Sequence, residues 1–142
     1  IDEVLDDYRP LLEEKGFRVE IRLADETVFT DRRGLCFLLG QLVSNSVKYT
    51  SDAPVLTFSL TCNTAETVLT VRDNGPGVRA CDLPYVFEKG FTGDSGHEKS
   101  KATGMGLYLA REIAKELGLM LSAASDWGAG FAVCISFPVV TQ

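Results

Sequence analysis

The sequence predicts an α/β (α+β) two-layer sandwich, one mixed or antiparallel sheet covered on one face by about three helices. Strand-like segments arrive mostly in pairs between separated helical segments, which is the pattern of a sheet with helices on one side. In the last of these segments Phe131, Val133, Ile135 and Phe137 share one parity and therefore one face. A polar stretch of about 25 residues, from Val78 to Thr103, is too long for an ordinary connection and reads as a functional lid or a disordered segment. With 142 residues, 45% of them hydrophobic and 24% charged, the chain suits one domain with a single sizeable core, and it contains no internal repeat.

Each element has its own signal. Val4, Leu5, Tyr8, Leu11 and Leu12 recur at helical spacing over residues 2–15, and Gly16 supplies a helix stop. Phe17, Val19, Ile21 and Leu23 alternate with charged residues as in a half-buried strand, for which Thr27 to Phe29 is a candidate short partner. Thr30 or Asp31 can cap a second helix, whose stripe of Leu35, Leu38, Leu39 and Leu42 runs toward Thr50 before Pro54 forbids continuation. Two strands follow, Val55 to Cys62 and Thr67 to Asp73, around the polar turn at Asn63, Thr64 and Ala65, and the turn 74-NGPG-77 closes the second. In the polar stretch the apolar anchors are Leu83 to Phe87 and Phe91. Gly104 to Leu117 reads as a helix stopped by Gly118, and strands Leu119 to Ser125 and Phe131 to Phe137 flank the turn 126-DWGAG-130.

Composition excludes several functions. Fourteen basic against twenty acidic residues leave a net charge of −6, which gives no support to binding nucleic acid or an anionic membrane, so any phosphate must be gripped locally. Cys36, Cys62, Cys81 and Cys134 lie too far apart for a CxxC pair, and His97, the sole histidine, completes no zinc set with them. They are expected to be reduced thiols in a cytosolic protein, three of them acting as small hydrophobes in apolar runs. No apolar stretch nears the ~20 residues that span a bilayer and no signal peptide is visible in this chain, which begins at Ile1.

The chemistry concentrates in three places. On a helical wheel Gln41, Asn45 and Lys48 fall within about 60° of one another along a border of the leucine stripe. An amide that can coordinate a hard cation and an ammonium one turn later suit a magnesium-chelated polyphosphate, although a solvated helix face has the same look. Tyr49 beside them could stack on a base or finish the core. Leu69, Val71 and Asp73 share one strand face, so a carboxylate ends an inward-facing apolar row and needs donors from a nearby turn or a ligand's amino group. Gly75 and Gly77 would let backbone approach a flat ligand, while a plain turn with a capped aspartate is the competing reading. The segment 103-TGMGL-107 opens a helix, whose first amides favour anions, or else serves as a glycine hinge. It is neither a Walker loop, lacking Lys-Ser/Thr after Gly106, nor a dinucleotide fingerprint, because it follows a polar loop rather than a strand.

Taken in order, these segments resemble the catalytic, ATP-binding domain of two-component sensor histidine kinases: 41-QLVSNSVKYT-50 its N box, 73-DNGPG-77 its G1 box, 87-FEKGF-91 its F box and 103-TGMGL-107 its G2 box. The helix and strands before Asp31 match as well, so the resemblance covers essentially the whole chain. It implies the Bergerat fold of the GHKL group, with ATP and Mg2+ as cofactors. Asn45 would bind the magnesium ion, Lys48 would contact phosphate and Tyr49 would lie against the adenine. Asp73 would accept a hydrogen bond from the adenine amino group, with Gly75 and Gly77 shaping the base pocket and Val78 beside them. Phe87 and Phe91 would anchor a lid over about residues 88–103, Lys89 would reach the phosphates, and Thr103, Gly104, Met105, Gly106 and Leu107 would border them, the last four through backbone amides. Without nucleotide the lid would be largely disordered.

The wording 90-GFTGDSG-96 followed by 103-TGMGLYLA-110 also resembles kinases that work with peptide-antibiotic transporters in Gram-positive bacteria. Ala102 departs from the family, where a further glycine is common, and bears only on local lid flexibility. Gyrase, mismatch-repair and heat-shock ATPases of this fold carry a catalytic glutamate where Gln41 stands, and an amide cannot act as general base, so efficient hydrolysis is not expected. An anti-sigma-factor serine kinase or another GHKL ATPase module is the alternative, distinguished by whether a helical H-E/D motif precedes Ile1. The resemblance places the phosphoacceptor histidine and its acidic base on a separate dimerisation domain, outside this chain, as also the sensor domain. His97, in a glycine- and lysine-rich segment, is not read as that acceptor. Its expected partners are that dimerisation domain and a cognate response regulator, in a homodimeric parent anchored in the cell membrane with this domain in the cytoplasm, and no nucleic acid.

Overall fold

The computed structural model describes residues 1–22, 30–48, 52–90 and 106–138. Helix α1, Asp2–Glu14, buries Val4, Leu5 and Leu12 and carries Pro10 on its exposed side. It stops as Gly16 signals: at φ +76° the chain turns left-handed, the Gly16 amide reaches the Glu13 carbonyl and the Phe17 amide the Leu12 carbonyl. Helix α2, Arg32–Lys48, starts at Asp31, whose side chain accepts from the Arg33 amide at 3.0 Å. Helix α3, Gly106–Leu117, ends at Gly118 with the same pair of reversed bonds as α1.

Five strands form one sheet: β1 Arg18–Arg22, β2 Val55–Cys62, β3 Glu66–Asp73, β4 Met120–Asp126 and β5 Gly130–Pro138. Their order is β1-β2-β3-β5-β4, with β1 parallel to β2 and every other pair antiparallel, so the sheet is mixed as expected. The register aligns the apolar parities into rows across the sheet. One row runs Ile21, Phe58, Val71, Val133, Ala123 and the next Val19, Leu56, Asp73, Phe131, Ser125. This face meets Leu38, Leu39, Leu42, Val43 and Val47 of α2 and Leu107, Ala110 and Ala114 of α3 in one core. Asp73 therefore replaces an apolar residue in the middle of a core row.

Two expectations are corrected. Ile21 is 45% exposed because β1 is an edge strand. Cys62 is exposed because the burial of β2 fades toward its C-terminal end, Cys81 is exposed, and Cys36 and Cys134 are half-buried. None of the four is in a disulfide. The expected strand at Thr27 to Phe29 lies outside the described residues, as do Leu23 and Thr50. Among the described residues no helix is long and apolar enough to cross a membrane.

Candidate nucleotide-binding site

Asp73 ends β3 with 6% of its surface exposed. Its two oxygens have different donors: the Gly75 amide gives a hydrogen bond to Oδ1 at 2.9 Å and the Ser46 hydroxyl one to Oδ2 at 2.9 Å. Burial pushes the carboxyl pKa up, while these two donors and the charge of Arg72 pull it back. Each oxygen keeps a lone pair beyond its present bond, so the group can still accept from a ligand.

The glycine turn after Asp73 is pinned from both sides. Asn74 accepts from the Val55 amide at 2.8 Å and donates to the Ala53 carbonyl at 2.9 Å. On the other side the Ser125 hydroxyl accepts from the Val78 amide at 2.7 Å and donates toward the Val78 carbonyl at 2.9 Å, while the Gly128 amide bonds to the Pro76 carbonyl. Gly77 sits at φ +73°, and a Cβ there would lie 2.6 Å from both the Gly130 carbonyl oxygen and the Ser125 hydroxyl. Only glycine fits, which makes this a built turn rather than a slack one.

Along α2, Gln41 and Asn45 are half-buried and Lys48 is exposed, as a polar edge bordering the leucine stripe requires. Gln41 meets the start of α3, its Oε1 lying 3.8 Å from where a Cβ on Gly106 would stand. Leu107 is buried in the core and Phe87 packs against it, next to the 2% exposed Val86. The Lys89 ammonium stands 6.0 Å from the centre of the Tyr108 ring and the Arg111 guanidinium 5.7 Å from it, so the end of the F segment and the first turn of α3 are neighbours.

The structure thus joins Asp73, Gly75, Gly77 and Val78 in one cluster, adjoining α2 through Ser46, and brings Gln41 to Gly106 and Lys89 to Tyr108. Tyr49, Phe91, His97, Ala102, Thr103, Gly104 and Met105 lie outside the described residues. Ser46, Asn74 and Ser125 escaped the sequence reading. For Ser46 a signal existed: it lies three and four residues after Val43 and Leu42, inside the apolar stripe, and a hydroxyl buried there needs a partner. Among the described residues no group of three His, Cys, Asp or Glu side chains could hold a metal by itself.

Known proteins resemble this chain in sequence and in fold. The chain is 36% identical over 129 residues to the sensor protein BceS of Bacillus subtilis, covering 91% of this chain and 38% of that protein. It therefore spans well under half the length of the curated relatives it matches. Among solved structures, the catalytic domain of histidine kinase ThkA superposes with a TM-score of 0.80 at 18% identity, covering 99% of this chain and 92% of that one. The full-length kinase ShkA, solved in complex with AMPPNP, superposes at 0.81 with 20% identity, over 99% of this chain and 29% of that one. Residues 30–141 match the family described as histidine kinase-, DNA gyrase B- and HSP90-like ATPases, and the chain belongs to that family.

Proposed function

We propose that the chain is the single catalytic module of a sensor histidine kinase, one that binds Mg-ATP and presents its γ-phosphoryl group to a histidine on a separate dimerisation domain. The observation that carries this reading is the buried Asp73 carboxylate, set by two donors at the end of an apolar row beside a turn that tolerates only glycine. A carboxylate that accepts, held buried at the end of a strand, suits the exocyclic amino group of adenine. That ShkA, which shares this fold, was solved in complex with AMPPNP supports a nucleotide as the ligand.

In this reading Asp73 takes the amino group, and Gly75, Gly77 and Val78 let the turn lie close to the base. Asn45 offers its amide oxygen to magnesium, with Lys48 and Lys89 placed to meet phosphate oxygens and the amides from Gly104 to Leu107 completing the cradle. The donor set fits such an ion only together with phosphate, since an amide alone is a weak ligand for a hard cation. Bound there, magnesium would neutralise charge on the β- and γ-phosphates. Tyr49 would cover the base, and Phe87 and Phe91 would anchor a lid. Gln41 cannot take a proton from water, so the chemistry awaits the partner histidine. The parent kinase, a membrane-anchored homodimer, would pass the phosphoryl group to a response regulator, and Bacillus relatives support the Gram-positive subgroup.

Calorimetric titration with ADP and AMPPNP, with and without magnesium, tests the reading. Native chain should bind both, AMPPNP more tightly with magnesium, and Asp73→Asn should bind neither measurably, since it presents an amide in place of the fixed acceptor. Equal binding by native and Asp73→Asn chains would remove the adenine assignment.

A further inference from the structure

A serine inside a helix usually satisfies its hydroxyl locally, on the carbonyl one turn back. Ser46 instead reaches off α2 to Asp73, 27 residues away in sequence, and both groups are buried, at 5% and 6% exposure. The bond has two mechanical consequences. Gly75 grips Oδ1 from within the same turn, and with that bond alone the carboxylate plane could swing about it. Ser46 grips the other oxygen from a second element, which fixes the plane. Ser46 is also the residue after Asn45 on α2, so the helix edge assigned to phosphate and metal and the strand end assigned to the base are joined through one hydroxyl.

Resting on the adenine-pocket reading, we propose that Ser46 is a specificity-positioning residue: its hydroxyl holds the Asp73 carboxylate as an oriented acceptor, so that a 6-amino purine is taken and a 6-oxo purine refused. An ionised carboxylate has no hydrogen to give and repels a 6-oxo group, whereas a protonated carboxyl could donate to it. Burial favours the protonated form of Asp73, and the hydroxyl is one of two donors opposing that. Removing it therefore weakens the hold on the amino group and also relaxes the refusal of the oxo group.

The test compares ADP with IDP, which differ at that position, by calorimetry on native chain, Ser46→Ala, Ser46→Thr and Ser46→Cys, each checked for cooperative melting. Loss of one bond to a charged group should weaken ADP about tenfold in Ser46→Ala and shrink the preference for ADP over IDP by a similar factor. Ser46→Thr, which keeps a hydroxyl, should stay within about threefold of native on both measures. A melting Ser46→Ala chain with the native preference overturns the inference, as does a Ser46→Thr chain that melts like native yet loses the preference. If Ser46→Ala does not melt cooperatively, Ser46→Cys decides in its place, because a thiol is a weak donor of nearly serine size: the preference must shrink, and an unchanged preference overturns the inference. A folded native chain that binds ADP and IDP equally, or neither, instead removes the adenine reading on which the inference stands.

Discussion

At the scale of single residues, Asp73 works against the fold in order to serve the site. Its carboxyl is pushed upward by burial, so the folded state holds the proton more tightly than the unfolded chain does. The sign follows: this group's contribution to stability is greatest below its unfolded pKa of about 3.9 and is lost as pH rises through the higher folded value. Glu3, drawn downward by its bond from Arg32, works in the opposite sense, so the readout is a difference between chains. Ligand-free Asp73→Asn should melt higher than native at neutral pH, and the gap should close as pH falls toward 4, followed by thermal unfolding across pH. A variant that melts lower at neutral pH would show that the bonds from Ser46 and Gly75 outweigh desolvation. Asp73 was legible in the sequence because strand parity alone places it among Leu69 and Val71. The nearby-turn donor expected for it is the Gly75 amide, but the side-chain partners of Asp73 and of Val78 were not legible, since Ser46 and Ser125 lie 27 and 47 residues away and nothing local encodes that distance.

At the scale of elements, helix stops were legible and sheet edges were not. Gly16 and Gly118 both take left-handed backbone at +76° and +74° and close reversed hydrogen bonds, because that chemistry is local. The parallel pairing of β1 with β2 depends on a crossover through α2, so the exposure of Ile21 could not be read from its alternation with charged neighbours. Two glycines separate strain from crowding. Gly128, at φ +88°, has open space around a built Cβ, whereas Gly77 at +73° would drive one into the Gly130 carbonyl and the Ser125 hydroxyl. In urea unfolding Gly128→Ala should cost about 1 kcal/mol, and Gly77→Ala at least about 2 kcal/mol together with nucleotide binding. Equal costs would mean that the turn can move away from β5, and that it is softer than its hydrogen bonds imply.

At the scale of the whole molecule, the mixed sheet under three helices was legible because it is a pattern along the chain, whereas the joining of segments from different elements is a property of packing. On the proposed reading the chain alone should release phosphate from ATP at a rate close to buffer, since the Gln41 amide cannot act as a base, and should not label itself. Mixed with a separately made helical hairpin carrying the parent's histidine, it should label the hairpin, which radiolabelled ATP and gel analysis would show; phosphate release by the chain alone would point to an ATPase instead. The Ser125 hydroxyl adds a reporter of a different kind. Because it receives the Val78 amide, and because the Gly128 amide bonds to Pro76, deuterium can enter either amide only when the β4–β5 tip and the glycine turn part. Exchange at Val78 and Gly128 should therefore rise and fall together, and Ser125→Ala should free Val78 to exchange at loop rates while Gly128 keeps its protection, turning two backbone hydrogens into a measure of how often the glycine turn and the β4–β5 tip come apart.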